Sequence, residues 1–278
     1  MIVFWSILMK AVTGLVIGFS IGMTGIGGGI LVLPALVILF GMSPTMAVGT
    51  ANLYAFLTKI YAAYHHWQQK TIAVRICTCF LAGAVPATLV VAYTINWYVG
   101  TLTSDPVAQS DMQDGLKQFI GVLILVTAVF ILWDFNVKRK QKEETTTALQ
   151  TAMQRNDYRQ ITVAITLGAM VGGLIAATSV GGGVVLIPLL IIVFGLSPVL
   201  TVGSSIFIGS ILTFLSSAVY ATGDQLDWTT GVIMAAGAFV GVPLGTRMSK
   251  KIKGMTLQFI VSIIIMIAGF LMVLVNAH

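Results

Sequence analysis

Two glycine runs, Gly25-Ile26-Gly27-Gly28-Gly29 and Ser179-Val180-Gly181-Gly182-Gly183, break apolar sequence in the two halves of this chain. An unwound glycine run leading into a helix aims backbone N–H groups at one spot and adds the positive end of a helix dipole, and both favour an anion. Hydroxyl and amide side chains stand near these runs, Thr24, Thr50 and Asn52 in the first half and Thr178, Ser179, Ser204 and Ser205 in the second. Each can donate to an oxyanion oxygen, or can bond its own helix backbone instead. The candidate substrate site is therefore Thr24, Gly27, Gly28, Gly29, Thr50, Asn52, Thr178, Ser179, Gly181, Gly182, Gly183, Ser204 and Ser205. It needs no catalytic group, metal or cofactor. Close packing of helices through small residues is the competing use of the same glycines.

The elements that position these residues are read from the apolar runs. They lie at about Ile7 to Thr24, Ile30 to Phe40, Pro44 to Tyr64, Ile72 to Ile95 and Lys117 to Trp133, and again at Ile161 to Thr178, Val184 to Phe194, Pro198 to Thr222, Trp228 to Thr246 and Met255 to Val275. Gly27 to Ala51 align without gaps on Gly181 to Ser205 at an offset of 154, with 12 identities in 25 pairs. The chain is an internal duplication. The segment after each glycine run is too short to cross a hydrocarbon core of about 30 Å, so each half is expected to hold a broken or re-entrant helix pair. Gly41-Met42-Ser43-Pro44 reads as a helix-ending glycine, a serine N-cap and a proline at the first helical position.

Composition sets the solvent. With 57% hydrophobic and 9% charged residues, a mean hydropathy of +0.98 and no strand-like alternation, the chain is expected to be an all-α integral membrane protein. The lipid bilayer is its first partner. A net charge of +6 does not indicate nucleic acid, because the basic residues stand in short loops between apolar runs. Cys77 and Cys79, two apart on one predicted helix, read as packing residues. Met1 to Met23 carries Lys10 and no small-residue cleavage site, so it is read as a retained span.

The loop around Lys70 and Arg75, the linker 135–159 and the loop at Arg247 to Lys253 hold 12 of the 15 basic residues and are assigned to the cytoplasm. The loop from Trp97 to Gly115 and the turn at Asp224 and Asp227 are then outside, as are both termini. Counterpart spans end on opposite faces, so the halves, 1–134 and 160–278, are expected to be inverted repeats joined by a cytosolic connector. Such repeats are characteristic of secondary transporters. All five tryptophans, Trp5, Trp67, Trp97, Trp133 and Trp228, fall at span ends, at headgroup level. Lys10 and Lys59 are read as snorkelling, with an anion-attracting vestibule as the alternative role of Lys59.

No carboxylate lies in the middle of an apolar segment, which counts against a cation carrier. No His-Glu-x-x-His, Gly-x-Ser-x-Gly or phosphate-loop motif supports an enzyme. The doubled pattern of Gly-Gly-Gly, an apolar run with a proline, Gly-x-Ser-Pro and Val-Gly-Thr/Ser resembles the sulfite exporter TauE/SafE family over nearly the whole chain. The resemblance implies a transporter of a small sulfur-containing anion such as sulfite or sulfoacetate in the inner membrane, often an exporter. A coupling ion, proton or sodium, is compatible with it, but no residue is singled out for one. A channel or permease for another small anion is the alternative.

Overall fold

The computed structural model describes residues 2–24, 29–102, 106–137, 157–180, 183, 185–249 and 254–274. Among these residues every regular element is helical. In the first half α1 spans Ile2–Thr24 and α2 Gly29–Pro34, continued by a π-helical turn at Ala35–Leu39; α3 spans Pro44–Gln68, α4 Val74–Thr101 and α5 Pro106–Val137. In the second, α6 spans Asp157–Thr178, α7 Leu186–Ile192, α8 Pro198–Thr222, α9 Trp228–Ser249 and α10 Gly254–Leu274. Five elements answer five, in the expected order.

The packing obeys a two-fold exchange of the halves. Helix α1 lies along α9 and its counterpart α6 lies along α4, so each half lends a helix to the other. A Cβ on Gly14 would stand 2.1 Å from the Met234 carbonyl oxygen, and one on Gly168, 154 residues later, 2.2 Å from that of Phe80, 154 residues earlier than Met234. Gly18 on Ala238 answers Gly172 on Ala84, and Gly237 on Ala11 answers Gly83 on Ile165. Helices that touch backbone to backbone at such points fit only where a side chain is missing. The offset falls to 148 for the last helices, where Gly121 touches Val273 and Gly269 touches Leu125. Helix α4 has 28 residues and α9 has 22, a difference of six that accounts for the change.

The counterpart helices α3 and α8 run antiparallel. Thr45 at the start of α3 bonds Gln225 just past the end of α8, and Gly203 near the start of α8 abuts Thr71 just past the end of α3. This arrangement is compatible with the inverted repeat expected from the charges. A further consequence concerns α1 and α2. Lys10 of α1 lies 3.8 Å from Asp227 in the α8–α9 turn, and α3 begins beside that same turn. The chain thus starts at one end of the bundle in α1 and is back at that end before α3, so α1 and α2 form a hairpin. The exchange makes α6 and α7 the matching hairpin from the opposite end.

The turns that close the hairpins are alike. Gly41 and Gly195 take φ of +62° and +64°, and Met42 N–H donates to the Leu36 carbonyl at 3.1 Å as Leu196 N–H does to Leu190 at 3.2 Å. This is a helix stop that glycine forms without a Cβ penalty. Pro44 and Pro198 then open α3 and α8 as expected, but Ser43 and Ser197 make no side-chain cap bond. The Thr45 N–H is taken instead by the Gln113 amide oxygen at 3.2 Å.

Six helices among the described residues are long and apolar enough to cross a membrane: α1, α4, α5, α6, α8 and α9. Phe4 and Trp5 of α1, Val90 of α4 and Phe239 of α9 are exposed, a coat suited to lipid. The 25-residue α3 is more polar, yet it lies antiparallel along α8 and is about as long, so it too has the length to cross. The expected loop from Trp97 to Gly115 is mostly helix, because α4 runs on to Thr101 and α5 starts at Pro106. Gln109, Asp111, Gln113 and Asp114 make that extension polar. It can therefore continue as helix above the lipid. Most of the 135–159 connector, residues 138–156, lies outside the described residues.

Candidate functional site

The two hairpins touch at their breaks. Gly29, the first residue of α2, is buried, and a Cβ there would meet the Ser179 carbonyl oxygen at 2.0 Å and its Oγ at 3.2 Å. Ser179 follows α6 directly and takes a left-handed φ of +54°, with its N–H bonded to the Ile175 carbonyl at 2.8 Å. That φ is costly for a residue with a side chain. Thr178 steadies the bend: its hydroxyl donates to Leu174 at 2.7 Å and accepts from the Val180 N–H at 3.2 Å. The Tyr220 hydroxyl donates to the Ala176 carbonyl at 3.0 Å, tying the end of α6 to α8.

The structure brings Gly29, Thr178 and Ser179 together. Gly27, Gly28, Gly181 and Gly182 lie outside the described residues, Thr24 is the last residue of α1, and Gly183 is a half-buried turn residue. Thr50 and Ser204 occupy positions related by the repeat and do the same work: the Thr50 hydroxyl accepts from the Asp227 N–H at 3.0 Å and the Ser204 hydroxyl from the Ala73 N–H at 3.0 Å. Each ties the start of one central helix to the loop beyond the other. Ser205 donates to its own helix at Val202, at 2.9 Å. Asn52 is fully buried on the α8 side of α3, where its amide nitrogen donates to Ser216 at 2.9 Å while its oxygen has no partner. Lys59 is half-buried on α3 with no ion pair or hydrogen bond among the described residues, about 13 Å by helical rise from the end of the helix.

Sequence reading missed several polar contacts because each joins distant elements. Thr45 of α3, Gln113 of α5 and Gln225 of the α8–α9 turn bond one another, the Thr45 hydroxyl to Gln225 at 2.6 Å and the Gln113 amide nitrogen to Thr45 at 2.9 Å. A cavity of about 310 Å³ opens beside them, lined by Ser43, Met46, Gln109, Ser110, Gln113 and Gln225. It opens at the end of the bundle where α3 begins. Two larger grooves, one along Val16, Leu31 and Ile267 and one along Val126 and Ile192, are almost wholly apolar and lie where lipid chains can fill them.

Lys10, a snorkelling lysine by its place in the sequence, has a partner in the structure. Asp227 caps α9 by accepting from the Thr230 N–H at 2.9 Å and from the Thr230 hydroxyl, with Lys10 facing it. Partial burial pushes the Asp227 carboxyl up, but the Thr230 hydroxyl and N–H, the Lys10 ammonium and the Thr229 N–H outweigh it and hold the carboxyl below its ordinary range. A carboxyl whose folded pKa is depressed adds stability above its unfolded pKa and loses it as pH falls through the folded value. Asp227→Asn is accordingly expected to cost about 1 kcal/mol near neutral pH. The gap between the two thermal midpoints closes below the ordinary carboxylate range. Melting both proteins across pH checks this, and a gap that is constant with pH contradicts it.

A polytopic helical chain with two hairpins whose breaks meet belongs to the class of membrane transporters, not enzymes. Residues 11–272 match the model of the family described as Sulfite exporter TauE/SafE, and the chain belongs to that family. It is 27% identical over 256 residues to "Probable membrane transporter protein YjnA" of Bacillus subtilis, covering 92% of this chain and 95% of that one. "Probable membrane transporter protein YunE" of the same organism is 22% identical over 275 residues, covering 95% and 96%. A "Probable membrane transporter protein" of Xylella fastidiosa is 24% identical over 253 residues, covering 88% and 86%. No solved structure matches.

Proposed function

We propose that this transporter moves a small sulfur-containing oxyanion, such as sulfite or sulfoacetate, out across the inner membrane by alternating access. The observation that carries the reading is the contact of Gly29 with Ser179. Each glycine run borders that contact in sequence, and a run of this kind supplies N–H donors that favour an anion. Non-helical backbone at membrane depth is tolerated where it is buried in protein or lines a cavity.

The repeats supply the alternation. Halves related by an axis in the membrane plane can exchange conformations, which turns an inward-open site into an outward-open one. The basic linker and loops assign α1 and α3 to enter from outside, with both termini outside and 135–159 in the cytoplasm. Residues 1–134 and 160–278 are then the two exchanging units. Export of one negative charge from an inside-negative cell gains about 2.3 kcal/mol per 100 mV, so the membrane potential alone can drive the cycle. Lys59 on α3, without a partner among the described residues, is a cation that draws the anion towards the centre. A proton or sodium ion as coupling partner has no assigned residue.

The test is flux of labelled sulfite, thiosulfate, sulfoacetate and chloride in proteoliposomes, with potential and pH gradient set independently. Saturable movement of a sulfur oxyanion but not of chloride is the expected result. Unsaturable ionic current replaces the transporter with a channel. Gly28→Leu and Gly182→Leu are each expected to abolish the flux and leave membrane insertion intact, and full activity in both moves the site away from the glycine runs.

A further inference from the structure

Two hydroxyls, that of Ser179 at the hairpin crossing and that of Tyr54 on α3, are buried and bonded to nothing. Tyr54 is 0% exposed and Ser179 4% exposed, and neither Tyr54 Oη nor Ser179 Oγ has a hydrogen-bond partner. A buried polar group without a partner is uncommon, because its desolvation is uncompensated. Both stand where the repeat offers nothing comparable: 154 residues away Tyr54 meets Ile208 and Ser179 meets Gly25.

The faces of α3 place Tyr54 on the hairpin side. Asn52 bonds Ser216 at 2.9 Å, Phe56 stacks against Phe214 with ring centroids 4.9 Å apart, and Gly49 abuts Tyr220, which gives that stripe to α8. Leu53 lies against Gly231 of α9. Tyr54 is about 200° around the helix from Asn52. It shares its stripe with Ala47 and Ala51, and all three pack in one buried cluster with Ile30 and Leu33 of α2 and with Ala176 and Val180, which flank Ser179. Gly29, whose Cβ position meets Ser179, opens α2 directly before Ile30.

We propose that the Tyr54 and Ser179 hydroxyls bind an oxygen-bearing end of the transported solute, so that a backbone with two-fold symmetry holds its cargo in one orientation. The inference rests on the reading of the crossing as the solute site. It adds that the recognised end accepts hydrogen bonds from neutral hydroxyls, in addition to whatever the backbone N–H groups supply. A solute carrying several oxygens on one sulfur can meet both donors at once.

Tyr54→Phe removes only the hydroxyl, and Ser179→Gly removes the other while relieving the left-handed φ. With labelled sulfite as probe, each is expected to raise the transport KM about tenfold, the loss of one hydrogen bond to a charged group. The maximal rate and membrane insertion stay near those of the unmodified protein, and the thermal midpoint without sulfite is unchanged or higher. An unchanged KM in both variants overturns the proposal, as does a KM rise that tracks a fall in the thermal midpoint, which marks a packing role. Absence of saturable sulfite flux in the unmodified protein overturns the solute-site reading itself, and the proposal with it.

Discussion

Gly29→Leu is expected to reduce oxyanion flux by at least about a hundredfold while the protein still inserts and purifies as a folded species. The new Cβ would lie 2.0 Å from the Ser179 carbonyl oxygen and 2.8 Å from its carbon, and both are backbone atoms that cannot swing away. Ser179 is also held by its N–H bond to Ile175 and by Thr178, so the strain must open the crossing. Overpacking of this kind costs about 1–3 kcal/mol. The α1–α9 and α4–α6 pairs and the central α3–α8 pair remain to hold the fold. Flux in proteoliposomes beside size-exclusion of the same preparation reads both quantities. Wild-type flux in this variant contradicts the placement of the solute at the crossing.

The second large effect falls on stability. Gly168→Leu drives a side chain into the Phe80 carbonyl at 2.2 Å, and Gly14→Leu does the same at Met234 at 2.1 Å. The exchange relation predicts matched losses, about 1–3 kcal/mol each or failure to accumulate, because both contacts are the same contact made twice. Gly115→Ala is the control, since no atom lies within 4 Å of its Cβ position, and a change within about 0.5 kcal/mol is expected. Thermal melts of the purified variants test the pair. A large loss at Gly14 with none at Gly168 breaks the equivalence of the two helix pairs.

Much of this architecture was legible in the sequence because it rests on local signals. Apolar run lengths placed the elements, Gly41 and Gly195 with Pro44 and Pro198 placed the hairpin closures, and the gapless alignment at offset 154 paired the halves. What could not be read was partnership. Nothing in the order of residues says that α1 packs on α9 instead of on its own neighbours, since that exchange depends on backbone approach at Gly14 and Gly237.

The same limit governed the site. Thr50 and Ser204 are hydroxyls near the glycine runs and were natural solute ligands on that ground. The loops at Asp227 and Ala73 return to them from more than a hundred residues away and use their oxygens. Tyr54 passed unnoticed for the opposite reason, because a tyrosine in an apolar run carries no signal until its hydroxyl is seen to be buried and unbonded. Lys10 showed its charge in the sequence but not its partner, which lies beyond α8.

The central claim is that the crossing of the two breaks is a solute site reached from each side in turn. Ser179→Cys, made after Cys77 and Cys79 are replaced by alanine, puts a near-isosteric thiol at that crossing. Its labelling by a membrane-impermeant maleimide is measured from the inside and from the outside of oriented vesicles, with and without saturating sulfite. Labelling from both sides is expected in the absence of sulfite, and protection on both when sulfite is present. Labelling from one side only, at a rate that sulfite does not change, contradicts it.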